Sequence, residues 1–345
     1  MFNIFWGEVI CGWFPKSMGP EFNGIITTQF QALEDYLRQI RTILSYLLLP
    51  VSIPLLFLQE TLAHVKEVTG INRRSLEGKV VLITGASSGI GESLAKLFYG
   101  AGCRLILASR RKDELERVKN GLVRSRTSGV VHVPAVLELD LGSLDSIPAK
   151  CRSAVEIYGH VDILVNNAGI SNRGTVLDTT MEVHQKIMNI NYFGTLSITR
   201  EIARGMVEKN SGNIVFVSSI QGKIALPFRS AYSASKHAMQ ALADSIRAEL
   251  SSSDVNVTIV HPGYVKTNLS INALTGSGER HNQMDASTEN GYTPEYVAEQ
   301  IYKAVRNGSK EVLICSLLPR IAIMLRLLCP RVYFFLMAWR AKKVQ

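Results

Sequence analysis

The chain has 345 residues, 46% of them hydrophobic and 19% charged, which is long and apolar enough for a large core and excludes a disordered protein. The formal net charge is +9, but the excess is concentrated: residues 313–345 hold Arg320, Arg326, Arg331, Arg340, Lys342 and Lys343 and no acid. Cys11, Cys103, Cys151, Cys315 and Cys329 are too scattered for a disulfide framework and form no CxxC pair or Cys/His ligand spacing, which predicts buried thiols and no metal site.

In chain order, residues 1–40 form an extension to which no role can be assigned. Between Arg41 and Glu60 lie eighteen uncharged residues, TILSYLLLPVSIPLLFLQ, which reach the lower bound of a membrane-spanning helix and predict an anchor over 41–60. Pro50 and Pro54 would break a soluble helix of this length, whereas membrane helices tolerate them. A buried helix of the following domain is the competing reading; a cleaved signal peptide fits less well, because some forty residues precede the run. Arg38 and Arg41 before the segment, against Lys66, Arg73, Arg74 and Lys79 after it, tilt the following domain towards the cytosol. The sequons at Asn256, Asn268 and Asn307 would be glycosylation acceptors on a lumenal domain, so the face stays open.

From Lys79 the pattern changes to short apolar runs: KVVLIT (79–84), RLILAS (104–109), VHVPAVLEL (131–139), VDILV (161–165), NIVFVS (213–218), VNVTIV (255–260) and EVLICS (311–316). They alternate with stretches of helical spacing, among them GESLAKLFYGAG, DELERVKNGLV and AYSASKHAMQALADSIRAEL. This is the pattern of an α/β fold, a Rossmann-type doubly wound parallel sheet of about seven strands with helices on both faces. The domain is expected over 78–316, followed by a basic and apolar segment over 317–345.

The first strand runs into Thr84-Gly85-Ala86-Ser87-Ser88-Gly89-Ile90-Gly91 and then a helix. Glycines let the backbone approach a pyrophosphate, and the helix amino terminus offers N–H groups and a positive dipole end to it. Gly85, Ser87, Ser88, Gly89, Ile90 and Gly91 are therefore candidate cofactor contacts. The second strand ends at Ser109-Arg110-Arg111 with no acid for a ribose hydroxyl; a cationic Arg110 suits a 2′-phosphate and favours NADP(H) over NAD(H). Tyr232 and Lys236 stand at i, i+4, on one face of a predicted helix. A free phenol titrates near 10, and a neighbouring ammonium favours its phenolate, so Lys236 is expected to tune Tyr232.

The TGxxxGxG spacing, the Asn166-Asn167-Ala168-Gly169 turn after the fourth strand, the Tyr232/Lys236 pair and Pro262-Gly263 after the sixth strand occur in the order of the short-chain dehydrogenase/reductase family, which residues 78–316 resemble. The resemblance implies a catalytic serine at Ser219, thirteen residues before Tyr232 and chosen over Ser218, whose hydroxyl would polarise and hold a substrate oxygen. It also implies that Asn191 helps hold a water in a proton relay, that Asp140 lies near the adenine, that Asn167 contacts the cofactor, and that Thr267 lies near the nicotinamide or the phosphates. Lys236 would hold the nicotinamide ribose. The polar stretch 264–292, with Leu269, Ile271 and Leu274 as its apolar contacts, is expected to be a loop over the substrate.

The expected function is a membrane-anchored NADP(H)-dependent oxidoreductase interconverting an alcohol and a carbonyl, with NAD(H) the alternative cofactor. An apolar anchor and tail suggest a hydrophobic, lipid-like substrate: a steroid, a retinoid or an acylated ketone. The 317–345 segment reads as an interfacial helix, an arm guarding the substrate mouth or a packing helix. Membrane lipid is an expected partner and nucleic acid is not; a homodimer or homotetramer is what the resemblance implies. The expected location is the endoplasmic reticulum membrane. The competing functions are a cofactor-binding regulator that lost turnover and a structural membrane protein that binds no cofactor.

Overall fold

The structure, a computed structural model, describes residues 75–125 and 132–344, together with scattered positions between 36 and 62. The latter are helical, and Leu44, Leu47, Leu48, Val51 and Leu55 among them are exposed. The remainder of the expected anchor over 41–60 lies outside the described residues, as does most of the 1–40 extension. Among the described residues no helix is long and apolar enough to cross a membrane.

Among the described residues seven strands build one sheet: β1 (Val80–Thr84), β2 (Arg104–Ser109), β3 (Ala135–Glu138), β4 (Ile163–Asn166), β5 (Gly212–Val217), β6 (Val255–Pro262) and β7 (Glu311–Ile314). Every pairing is parallel, in the order β3-β2-β1-β4-β5-β6-β7. The direction of winding reverses between β1 and β4, where successive connections diverge and a crevice opens beyond the strand ends.

The helices of the described residues from 75 onward are α1 (Gly89–Gly100), α2 (Lys112–Ser125), α3 (Ile147–Tyr158), α4 (Met181–Met188), α5 (Thr195–Glu208), α6 (Ser230–Glu249), α7 (Ala286–Glu289), α8 (Pro294–Asn307), α9 (Leu317–Leu328) and α10 (Pro330–Val344). A π-helical turn, Asn189–Gly194, joins α4 directly to α5. Because successive strand side chains point to opposite faces, β1 feeds two cores at once. Val81 and Ile83 pack with Leu94 and Phe98 of α1, Leu115 of α2 and Ile301 of α8. Val80 and Leu82 pack with Ile147 of α3, Ile198 of α5 and Met239 of α6. β1 is buried along its whole length, which is why its sequence is a continuous apolar run instead of an alternation.

β3 is shorter than the 131–139 run suggests. It pairs only with β2, and Pro134 immediately before it has no N–H to donate to a ladder. The 264–292 stretch, expected as a loop, contains the single-turn helix α7 and is pinned by bridges pairing Leu274 with Asn172 and Val265 with Tyr292. Cys103, Cys151, Cys315 and Cys329 are buried, and burial pushes the Cys103 and Cys151 thiols up to about 12. Cys11 lies outside the described residues.

The carboxy-terminal segment is a pair of helices, broken where Pro330 opens α10 after the buried Cys329. Tyr333 is buried and donates its hydroxyl to Ala225 O at 2.9 Å, while Leu318, Leu327 and Phe335 are largely exposed.

Candidate active site

The turn between β1 and α1 is shaped by missing side chains. Gly85 (φ 67°) and Gly89 (φ 57°) adopt left-handed backbone, which a side chain disfavours. At Gly91 a Cβ would stand 2.3 Å from the carbonyl oxygen of Gly85. The turn is also stitched to the end of β4. Thr84 Oγ1 accepts from the N–H groups of Asn167 and Ala168 at 3.0 and 3.1 Å, and Asn167 Nδ2 donates to Thr84 O at 2.9 Å.

Beside this turn lies a cavity of about 510 Å³, bordered by Gly85, Ser87, Ser88, Gly89, Ile90, Arg110, Asp140, Asn167 and Thr267. Of the expected cofactor contacts in the turn, only Gly91 lies beneath the surface instead of on it. The cavity fits a dinucleotide: glycines keep the opening of α1 clear, the helix amino terminus faces the groove, and cations border it. Arg111 is a residue that the sequence reading passed over in favour of Arg110. Its Nη2 donates to Ser87 Oγ and Ser88 Oγ at 2.9 and 2.8 Å, so it lies on the turn itself. The Arg-Arg pair at the end of β2 was the available signal.

A second cavity of about 110 Å³ adjoins the first; both are bordered by Ile90, Asn167, Gly169, Thr267 and Leu269. Ser219, Tyr232 and Lys236 meet on its wall, brought from the end of β5 and from α6. Ser219 caps the short helical turn Ile220–Gly222, accepting from Gln221 N–H at 3.2 Å. Ser218, its competitor, turns its hydroxyl to the backbone of α6, at Lys236 O. The main chain of Tyr232 is fixed by donation to Asn172 Oδ1 at 3.1 Å.

Besides Lys236, two arginines bring positive charge to the tyrosine. Burial pushes the Tyr232 phenol above its ordinary value; the hydrogen bond with Ser219 and the guanidiniums of Arg229 and Arg173 oppose that rise. Lys236 Nζ donates to Val217 O at 2.9 Å and stands 5.7 Å from the Tyr232 ring centre. Its own ammonium is destabilised by burial, which brings it down to about 8. Arg173 and Arg229 were not singled out in the sequence, where isolated arginines in loops carry no pattern.

Asn191 is fully buried in the π-helical turn. It spans the chain after β4, accepting from Ile170 N–H and donating to Ile170 O, both at 2.8 Å, and also donates to Ser235 Oγ at 2.9 Å. A Cβ added at Gly169 would lie 3.2 Å from Asn191 Oδ1 and 3.6 Å from Lys236 Nζ, so the asparagine and the lysine flank the same glycine.

The fold and the nucleotide-sized groove agree with the comparisons. Residues 79–277 match the short chain dehydrogenase family. The chain belongs to that family. It is 50% identical over 302 residues to a dehydrogenase/reductase SDR family protein 7-like of Anopheles gambiae, covering 88% of this chain and 94% of that one. It is 46% identical over 269 residues to dehydrogenase/reductase SDR family member 7B of Xenopus tropicalis, covering 78% and 87%. Among solved structures, a metagenomic short-chain oxidoreductase in complex with NADP superposes with a TM-score of 0.57 at 26% identity, covering 70% of this chain and 98% of that one. A Burkholderia phymatum family member in complex with NAD superposes at 0.62, with 23% identity over 70% and 90%. Membership makes the chain an oxidoreductase of the NAD(P)-binding type.

Behind Ser219 stands a support that runs from the buried His261 to Glu311 at the surface. His261 Nδ1 lies 3.0 Å from Ser219 O and can only donate there. Its Nε2 lies 3.2 Å from Glu311 Oε1, and Lys223 pairs with the same carboxylate. His261 beside the carboxylate, helped by Lys223, outweighs burial and brings Glu311 down from 4.5 to about 2. A carboxyl lowered in the folded state stabilises the fold above its unfolded pKa, and that contribution is lost as pH falls through the folded value. The wild-type melting temperature is therefore expected to drop on acidification between about 4.5 and about 2, and Glu311→Gln should melt lower at neutral pH and lose that part of the acid limb. Identical acid limbs in calorimetry would rule this support out.

Proposed function

We propose that the chain is an NADP(H)-dependent oxidoreductase interconverting an alcohol and a carbonyl, membrane-anchored and acting on a hydrophobic, lipid-like compound. The observation that carries the reading is the meeting of Ser219, Tyr232 and Lys236 on the wall of a cavity that opens into the nucleotide-sized groove. When bound, the nicotinamide supplies or accepts a hydride at C4. The turn from Gly85 to Gly91 and the start of α1 would hold the pyrophosphate, Asp140 the adenine, Asn167 and Thr267 the nicotinamide side, and Arg110 and Arg111 a 2′-phosphate.

Ser219 would donate to the substrate oxygen and fix its position. Tyr232 would give the proton to that oxygen in reduction and take it in oxidation. Lys236 would hold the ribose and favour the phenolate, and Asn191 would hold the chain at Ile170 and a water behind the lysine. The apolar part of the wall, Val217, Val265 and Leu269, suits a hydrophobic substrate. So do the exposed Phe334, Phe335 and Trp339 of α10, a helix hydrogen-bonded through Arg340 to Tyr264 at the cavity mouth. Of the three readings of the terminal segment, that contact favours an arm at the mouth.

Titration of the purified chain, followed by energy transfer to the reduced nicotinamide, should give NADPH at least about tenfold tighter than NADH. Arg110→Gln and Arg111→Gln should each erode the difference; equal affinities would refute the NADP(H) assignment. With NADPH and lipid ketones as substrates, Tyr232→Phe should reduce kcat about a hundredfold or more while leaving NADPH affinity intact. Full turnover by the phenylalanine variant would remove Tyr232 from the chemistry. For the anchor, the full chain should remain in membranes washed with alkaline carbonate and a chain beginning at residue 63 should not; release of both would discard the 41–60 anchor.

A further inference from the structure

Outside the groups already assigned, a partly buried cluster of charges borders the mouth of the catalytic cavity, which Arg173 and Arg229 line. Asp285, at the amino terminus of α7, receives Arg173 Nε on both carboxylate oxygens at 3.1 and 3.2 Å and Arg173 Nη2 on Oδ2. Arg229 Nη2 donates to the same Oδ2 at 2.9 Å. All three side chains are mostly buried, 14%, 12% and 17% exposed for Arg173, Arg229 and Asp285. They come from three places: Arg173 follows β4, Arg229 immediately precedes the helix of Tyr232, and Asp285 belongs to the 264–292 segment.

We propose that Asp285 is a positioning residue for Tyr232: by gathering Arg173 and Arg229 it fastens the 264–292 segment over the cavity and sets the positive charge that the mouth presents to the tyrosine. The inference deepens the proposed oxidoreductase reading and rests on it for the role of Tyr232.

The fastening follows from connectivity. The segment is already held at Leu274, whose carbonyl accepts from Arg173 N–H at 2.7 Å and whose N–H donates to Ser171 O at 2.8 Å. Gly276 O accepts from Thr180 N–H at 3.0 Å, and Asp285 adds a side-chain attachment farther along, to Arg173 beside the Leu274 pairing and to Arg229 three residues before Tyr232. Without the carboxylate, the part of the segment after Leu274 loses its tie to both.

The charge argument follows from the count. Two guanidiniums face one carboxylate, so the mouth carries a net positive charge in a poorly solvated place, where charges act over longer distances than in water. Other polar and charged groups share the neighbourhood. Ser219 and Lys236 border the cavity with Tyr232. His281 Nε2 is 3.9 Å from Asp285 Oδ1. Tyr264, the first residue of the 264–292 segment, accepts on its hydroxyl from Arg229 at 3.2 Å and from Arg340 of α10 at 2.9 Å. Burial disfavours the Asp285 carboxylate, yet the two arginines and His281 hold it below its ordinary range, so it stays charged at neutral pH. Removing its charge leaves the guanidiniums uncompensated and favours the Tyr232 phenolate; removing a guanidinium does the reverse.

The test uses the full chain labelled with 13C at tyrosine Cζ, the Tyr232 signal being assigned by its loss in Tyr232→Phe. Between about pH 8 and 11, the phenolate signal should emerge lower in Asp285→Asn than in the parent, by about one pH unit, and higher in Arg229→Gln and Arg173→Gln. Asp285→Glu should behave as the parent. Hydrogen exchange on the same samples should show the amides of 280–291 at least about tenfold less protected in Asp285→Asn, with β1 and β5 unchanged and protection restored in Asp285→Glu. Unmoved onsets, or shifts of the same sign in the aspartate and arginine variants, would overturn the charge role. Unchanged protection would overturn the fastening. Neither measurement needs turnover, so an inactive parent would defeat the oxidoreductase reading and leave these results interpretable.

Discussion

Gly91 lies under the carbonyl of Gly85 at a distance that no other residue tolerates, and this contact sets the start of α1 against the end of β1. From it follow the position of the helix amino terminus, the clearance of the groove above, and the access of Asn167 to Thr84. α1 is in turn locked by Phe98, which packs edge-on against Tyr302 of α8 at 5.4 Å. A dipole is useful to a bound anion only when its helix cannot shift. Here the rigid core and the glycine contact hold the helix at both ends.

The catalytic wall is built on a different logic. Ser219, Tyr232 and Asn191 arrive from a strand end, a long helix and a π-helical turn, and each is held through backbone bonds that leave little freedom: Ser219 through His261 and Gln221, Tyr232 through Asn172, Asn191 through Ile170. The polar groups of the interior are thus spent mainly on positioning. Burial then acts on the titratable groups in opposite senses, raising the Tyr232 phenol and lowering the Lys236 ammonium, so the neutral forms of both gain at once.

The fold was legible because its signals are local. The run VVLIT and the spacing of Leu94, Leu97 and Phe98 report strand and helix without knowledge of neighbours, and β2 matches its apolar run residue for residue. Motif residues were legible for the same reason: Tyr232 and Lys236 share a helix face, and the glycines share one turn. What the sequence concealed depends on contacts between distant segments. Arg173, Arg229 and Asp285 are ordinary loop residues until the chain brings them together. Arg111 differs from Arg110 only in the direction that the end of β2 gives it. The shortness of β3 depends on its edge position. Nothing in NINYFG announced a π turn, because a helix that widens by one residue keeps the same apolar composition.

That widening has a geometric consequence for the whole layer. In an unbroken α-helix, Ile187 and Ile198 would point within about 20° of each other, eleven residues apart. Ile187 packs with Val183, Ala231 and Leu274 near the substrate segment, and Ile198 packs with Ile202 and Met206 under the sheet. The wider turn resets the azimuth of α5 relative to α4 by roughly a quarter revolution. The rod thereby turns its apolar stripe as it passes from the substrate segment to the sheet, and Asn191 sits at that phase break.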